Sequence, residues 1–427
     1  MTLSRVQRAP AARALAAALV VLAAAAGGLA GTGPAAADST PSPLPTASSS
    51  APALQLPVIP TLLDTTISGC TKASRTVMHT VPWAQQSLGL DRAHQLATGT
   101  GVTVAVIDTG VSKAAPALAG RVRTVGGADA GKDCVGHGTF VAGIIAAAPV
   151  PGAGFAGVAP AARILAVRGL DKGSNPNEAL VASGIRAATD AGAKVIDVSL
   201  SFPKATSGLT SALVYAARHD VLVVAPGVPD DLINSSSSIG DQAPSVAYWP
   251  AARPGVLSVV DVDITGARPT SAMNPARADL AAPGQGVTGI GPSGRGHFLA
   301  NGPSVAAAFV SGAAALLRSY QPRLTAAQVA ARLTASAYPA PVPRLDPYAA
   351  LSAVLPTAQA PGRAADSTIH LHPTHSDPRP AHRAYAVLGG SALVMVVLVA
   401  AGLLARKRRA LGRDTAAGPV AGARAGS

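Results

Sequence analysis

Short, almost unbroken apolar runs recur along the middle of the chain, at residues 102–107, 164–167, 195–200, 221–225 and 256–260. Each is of strand length and lacks the alternation of a half-exposed strand, so the pattern predicts strands buried on both faces. Longer amphipathic stretches at about 178–191 and 208–218 lie between them and predict helices; two more follow at 304–319 and 325–336. The last opens with Thr325 and Gln328 at capping-box spacing, which satisfies exposed N–H groups at a helix start. Strand and helix in alternation predict an α/β fold with a mainly parallel sheet covered by helices on both faces. There is no internal repeat.

The two ends of the chain have a different pattern. Arg5, Arg8 and Arg13 precede an apolar stretch at 14–26, and Ala35, Ala36 and Ala37 stand before Asp38. That order predicts a secretory signal peptide over 1–37, cleaved after Ala37. Residues 38–69 begin with a Pro/Ser/Ala-rich linker and continue as an N-terminal extension, and 351–383 read as a Pro/His-rich stalk. The uncharged apolar run 384–405 is long enough to span a bilayer, and Arg406, Lys407, Arg408 and Arg409 follow it directly. The positive flank puts the tail, 406–427, in the cytoplasm and the body of the protein outside it. Between the linkers, residues 70–350 make one domain large enough for a single core.

Composition refines this picture. Only 3% of residues are aromatic, so the core must be built from small aliphatic side chains. The net charge of +13 invites a nucleic-acid reading, but the densest basic cluster is the membrane flank and no basic run interleaves with aromatics. Nucleic acid is therefore not an expected partner. The only two cysteines, Cys70 and Cys134, are expected to bond in an oxidising compartment, with two unrelated buried thiols as the alternative. His370, His372, His375 and His382 lie in the stalk without a Cys or a rigid frame, so a solvated linker is favoured over a metal site. No metal or cofactor is expected.

Three segments carry candidate chemistry. The strand at 102–107 ends in Asp108, which puts a carboxylate at the sheet edge where α/β folds bind ligands. His137 lies between Gly136 and Gly138, just before an apolar helix with Val141, Ile144 and Ile145 at helical spacing. Ser304 opens a helix that is apolar all round, so its hydroxyl meets unpaired N–H groups and the positive end of the helix dipole. Each residue has a plain structural alternative: a turn cap for Asp108, a packed imidazole for His137, an N-cap for Ser304. Together, in the order Asp, His, Ser, they have the arrangement of a charge-relay triad.

With these segments in view, the chain resembles the subtilases, and within them the mycosins, membrane-anchored proteases that accompany actinobacterial type VII secretion. The likeness covers roughly residues 70–410. It includes Pro82-Trp83-Ala84-Gln85, Gly157-Val158-Ala159-Pro160, Leu280-Ala281-Ala282-Pro283-Gly284, the run from Ala313 to Arg318, and Asp346-Pro347-Tyr348-Ala349. The resemblance implies a subtilisin-like three-layer α/β/α fold, serine endopeptidase activity on exported proteins or peptides, and association with the type VII secretion membrane complex. It also implies an oxyanion position at Val228, where subtilases usually carry Asn, with Asn234 as a nearby amide. Ser199, Leu200 and Ser201 would form the strand that pairs with substrate. Val228, Pro303 before the serine, and Ser201-Phe202 in place of glycines depart from the family pattern, and Ala308 stands where the family has a proline. These departures motivate an alternative: a catalytically impaired pseudoprotease serving as a structural component of the secretion complex.

Overall fold

The computed structural model describes residues 55–60, residues 69–354 apart from 173, 231–244 and 271, and residues 393 and 395–405. The predicted signal peptide, the stalk histidines, the basic tail and Asn234 lie outside the described residues.

Seven strands form one parallel sheet. They are β1 (Thr103–Asp108), β2 (Val122–Thr124), β3 (Arg163–Arg168), β4 (Val195–Val198), β5 (Leu222–Pro226), β6 (Leu257–Val262) and β7 (Leu280–Pro283). Their spatial order is β2-β3-β1-β4-β5-β6-β7, so the order reverses beside β1. A two-stranded antiparallel hairpin, β8 (Val287–Ile290) and β9 (His297–Ala300), stands apart from this sheet. The helices in chain order are α1 (Trp83–Ser87), α2 (Leu90–Leu96), α3 (His137–Ala146), α4 (Glu178–Asp190), α5 (Ser207–Arg218), α6 (Pro303–Tyr320), α7 (Ala326–Ala335) and α8 (Pro347–Ser352).

The reason for the near-continuous apolar runs is visible in β1. Val104 and Val106 pack into the core that contains α3 and α6, while Ala105 and Ile107 pack into the one that contains α4 and α5. Successive side chains leave a strand on opposite faces, so a strand covered on both sides needs an apolar residue at every position. The result is three layers, a subtilisin-like α/β arrangement. α6 is buried from Pro303 to Arg318, and its alanines at 306–308 and 313–315 allow it to run through the core. α7 has the expected capping box: Thr325 Oγ1 accepts from Gln328 N at 3.2 Å, and Gln328 Oε1 accepts from Thr325 N at 2.8 Å.

The structure departs from the sequence pattern in two places. β4 ends at Val198 instead of 200, because the chain leaves the ladder and Phe202 pairs with Trp249 through two backbone hydrogen bonds of 2.7 and 2.8 Å. The pattern does not predict β2, β7 or the hairpin; they are three or four residues long, too short to establish a period.

Residues up to Ala353 form one compact unit, and Val354–Ser427 a second. In the second, 393 and 395–405 are helical, with exposed apolar side chains such as Val399 and Leu403. Among the described residues, no helix is long and apolar enough to cross a membrane. The expected span at 384–405 falls largely outside them.

Candidate active site

Asp108 is the last residue of β1, at the C-terminal edge of the sheet and next to the point where strand order reverses. His137 is the first residue of α3. The two meet because Gly138 has no side chain: a Cβ there would lie 2.1 Å from Gly110 O and 3.0 Å from Asp108 Cβ. His137 Nδ1 is 2.8 Å from Asp108 Oδ2 and 3.0 Å from Oδ1. With Nδ1 assigned the proton from these partners, Nε2 faces Ser304 as an acceptor.

Burial alone would raise the Asp108 carboxyl, but the charge and hydrogen bond of His137, with help from Ser199 and Thr109, hold it below the usual carboxylate range. Burial likewise opposes a charge on His137, yet Asp108 and then Asp230 outweigh it and hold the imidazole well above its ordinary value.

A third buried carboxylate, Asp133, organises this side of the site. It accepts from Gly136 N at 2.7 Å, Thr139 N at 2.8 Å, Thr139 Oγ1 at 2.6 Å and Thr109 Oγ1 at 2.8 Å. Two of those donors are unpaired N–H groups at the start of α3, so Asp133 caps the helix that presents His137. Thr109 Oγ1 in turn accepts from Gly138 N at 2.9 Å, tying the helix to the end of β1. The disulfide Cys70–Cys134 lies next to Asp133, with a Cα–Cα distance of 4.4 Å. Thr71 N donates to Cys134 O at 2.8 Å, so the N-terminal extension is strapped beside the histidine loop.

Ser304 comes from the first turn of α6, fully buried. Its Oγ is 3.2 Å from His137 Nε2. The structure therefore brings Asp108, His137 and Ser304 into one hydrogen-bonded line. Pro303 takes the first helical position, where a missing N–H costs nothing and its fixed φ suits the helix.

The serine has a further partner that the sequence pattern does not suggest. Ser304 Oγ donates to Asp230 Oδ2 at 2.5 Å, and Ser304 N donates to Asp230 Oδ1 at 2.9 Å. Asp230 Oδ2 is also 3.5 Å from His137 Nε2. Gly302 makes room for it, since a Cβ there would fall 2.3 Å from Asp230 Oδ1. Val228, expected at the oxyanion position, lies two residues before Asp230. The chain bends at Gly227 and Val228 after β5, the valine side chain is buried, and the carboxylate two residues later meets the serine N–H.

The strand expected to bind substrate is only partly open. Ser199 and Leu200 are buried, and the Ser201 hydroxyl is buried without a hydrogen-bond partner among the described residues. Beneath the site, Asp197 accepts from Ser311 Oγ on α6 at 2.6 Å and from Ser199 Oγ at 3.4 Å. Its burial, with the nearby Asp108 charge, pushes its pKa up to about 7 against the pull of those hydroxyls. Among the described residues, no group of three or more His, Cys, Asp or Glu side chains is placed to hold a metal ion.

Sequence reasoning misses Asp133, Asp197 and Asp230. Asp133 has a local signal, a carboxylate three residues before a glycine that opens a helix. Asp197 is hidden inside an apolar run. Asp230 has no signal, because its partner lies 74 residues away.

The profile of the subtilase family matches residues 99–369. Mycosin-1 of Mycobacterium tuberculosis (strain ATCC 25618 / H37Rv) is 35% identical over 392 residues, covering 78% of this chain and 86% of that protein. Among solved structures, the serine protease MycP1, described as an essential component of the type VII (ESX-1) secretion system, aligns with a TM-score of 0.56 at 31% identity. That alignment covers 67% of this chain and 92% of MycP1. A chain of the periplasmic assembly from the ESX-5 inner membrane complex aligns with a TM-score of 0.58 at 29% identity, over 70% of this chain and 91% of that one.

Proposed function

The chain belongs to the subtilase family of serine proteases, on its mycosin branch, and from that premise we propose that Asp108, His137 and Ser304 are the catalytic triad of a membrane-tethered endopeptidase. The observation that carries the proposal is the unbroken line from the Asp108 carboxylate through His137 to Ser304 Oγ, at 2.8 and 3.2 Å in a buried site. Ser304 Oγ attacks the scissile carbonyl carbon while His137 Nε2 takes its proton. The intermediate collapses with cleavage of the C–N bond, and His137 returns the proton to the leaving amine. Asp108 holds the imidazole in the correct tautomer and stabilises its cation. Water then repeats the sequence on the acyl-enzyme.

In this reading residues 70–350 are the peptidase domain. It is exported by the segment 1–37 and tethered through the stalk at 351–383 by a single span at 384–405, with the tail at 406–427 in the cytoplasm. The substrate is an exported protein or peptide, entering beside Ser199, Leu200 and Ser201. The partner is a type VII secretion membrane complex, a proposal supported by likeness to chains of the ESX-1 and ESX-5 systems.

The test is labelling of the purified full-length chain with a fluorophosphonate probe beside Ser304→Ala. Labelling of the wild type that disappears in the variant is the expected result. An unlabelled wild type whose loss abolishes secretion, while Ser304→Ala leaves secretion intact, would support the scaffold reading instead. One observation favours that second reading: Ser304 N–H, a donor the reaction needs, is already occupied by Asp230.

A further inference from the structure

Three segments distant in the sequence meet around the disulfide. Thr71, next to Cys70, donates its N–H to Cys134 O at 2.8 Å and its hydroxyl to Val135 O at 2.5 Å. On one side, residues 73–76 lie against the segment that leads into β9. A Cβ at Gly294 would fall 2.8 Å from Ala73 Cβ, one at Gly296 would collide with Ser74 O, and His297 N donates to Thr76 O at 2.8 Å. On the other side, Lys113 N donates to Gly131 O at 3.3 Å. The Lys113 side chain crosses that glycine, where a Cβ would meet its Cε at 3.2 Å. These contacts gather Lys72, Arg75 and Arg295 on one arm of a single arc and Lys113 and Lys132 on the other. All five are exposed.

The positive charge of this arc is almost uncompensated. Segments 69–80, 109–135 and 291–297 contain only two carboxylates, Asp129 and Asp133. Asp133 is buried and occupied with the start of α3. Asp129 pairs with Lys132 at 3.3 Å. Among the described residues, Lys72, Arg75, Lys113 and Arg295 have no ion-pair partner. The arc is also continuous with the cleft, because Cys134 at its centre stands three residues before His137. An extended chain advances about 3.3 Å per residue, so a few residues beyond the cleft reach it.

We propose that this arc is a docking face for an acidic segment of the protein substrate, outside the residues that react. The inference rests on the proteolytic reading and deepens it. Single exposed ion pairs contribute little, so recognition depends on several cations acting together on a run of carboxylates. Their summed field attracts such a segment before it is fully bound and discriminates against basic chains. A substrate held there as well as at Ser304 gains affinity while the chemistry at the triad is unchanged. The effect belongs in KM and not in kcat.

The test first measures binding, on full-length Ser304→Ala chains so that nothing is cleaved. The probe is a fluorescein-labelled peptide of ten glutamates, beside an uncharged Gly/Ser peptide of the same length. Lys72→Glu/Arg75→Glu/Arg295→Glu reverses one arm, and Lys113→Glu/Lys132→Glu reverses the other. Arg163→Glu/Lys194→Glu/Arg218→Glu makes the same change of net charge as the first at exposed positions on the opposite edge of the sheet. The glutamate peptide is expected to bind and the Gly/Ser peptide not. Each arm variant should weaken binding about tenfold, and the opposite-edge variant much less. Raising ionic strength from about 0.01 to 0.15 M, which shortens the Debye length from about 30 to 8 Å, should weaken it as well. With Ser304 restored, the arm variants should raise KM for casein, an acidic protein, and leave hydrolysis of an uncharged acetylated tetrapeptide anilide unchanged. Equal binding of the two peptides, or equal losses in the arm and opposite-edge variants, overturns the docking face. An equal loss on casein and on the tetrapeptide overturns it too, since the damage then lies in the reacting site. Glutamate-peptide binding by a wild type that neither hydrolyses nor takes a fluorophosphonate label defeats the proteolytic reading, and with it the substrate as occupant.

Discussion

The cleft has two walls, and they are built differently. On the histidine wall, β1 and the start of α3 are tied by Asp133, Thr109 and Thr139 through buried hydrogen bonds, with a disulfide next to the network. Each donor there has a buried partner. On the serine wall, α6 has a proline and a glycine at its start and no side-chain cap of its own; a carboxylate from the loop after β5 serves instead. The contrast shows that the base and its orientation are over-determined, while the start of the nucleophile's helix is held by one side chain from a distant loop.

Three substitutions test the contrast. Asp108→Asn has the largest expected effect: kcat on casein falls about 10⁴-fold, because an amide reverses the imidazole tautomer while leaving its position. A fall below about tenfold would mean the histidine wall does not set catalysis. Asp133→Ala comes next. It leaves Gly136 N–H, Thr139 N–H and two hydroxyls without their buried acceptor, and at roughly 1–3 kcal/mol per orphaned group a loss of about 4 kcal/mol is expected in urea unfolding. Asp230→Ala, measured by the same unfolding, should cost only about 1 kcal/mol; equal losses would erase the distinction between the walls.

A fourth substitution concerns the floor joining both walls. Asp197 has its folded-state pKa raised to about 7, above the ordinary value of 3.8. Its contribution is fully favourable below about pH 4 and is lost as pH rises to about 7, because the unfolded chain gives up its proton first. Asp197→Asn escapes that loss. It should be more stable than wild type at pH 8 by on the order of 4 kcal/mol, a gap that opens between about pH 4 and 7 and then stays level. A gap that does not vary with pH would contradict this account of the site's floor.

Much of the architecture is legible in the one-dimensional pattern, because strands covered on both faces must be apolar throughout. The expected helices at 178–191, 208–218, 304–319 and 325–336 correspond to α4, α5, α6 and α7 within one or two residues. The same pattern extends β4 too far, since apolar character at Leu200 reflects burial and not pairing. Asp108, His137 and Ser304 can be singled out because each stands at an element boundary with a distinctive local neighbourhood. Asp133 is within reach of the same reasoning, as a cap. Val228 is singled out only by its position after a glycine, and the contact of Asp230 with the serine N–H leaves no local signal.

The sequence by itself determined which segments would be buried, where helices begin, and which hydroxyl, imidazole and carboxylate stand at the mouth of the fold. All of these follow from local spacing and from the cost of exposing apolar surface. Only the tertiary structure decided that a second carboxylate closes over Ser304. That contact joins residues 74 positions apart and depends on the path of one short loop and on the empty space at Gly302. Neither leaves a periodic trace in the chain.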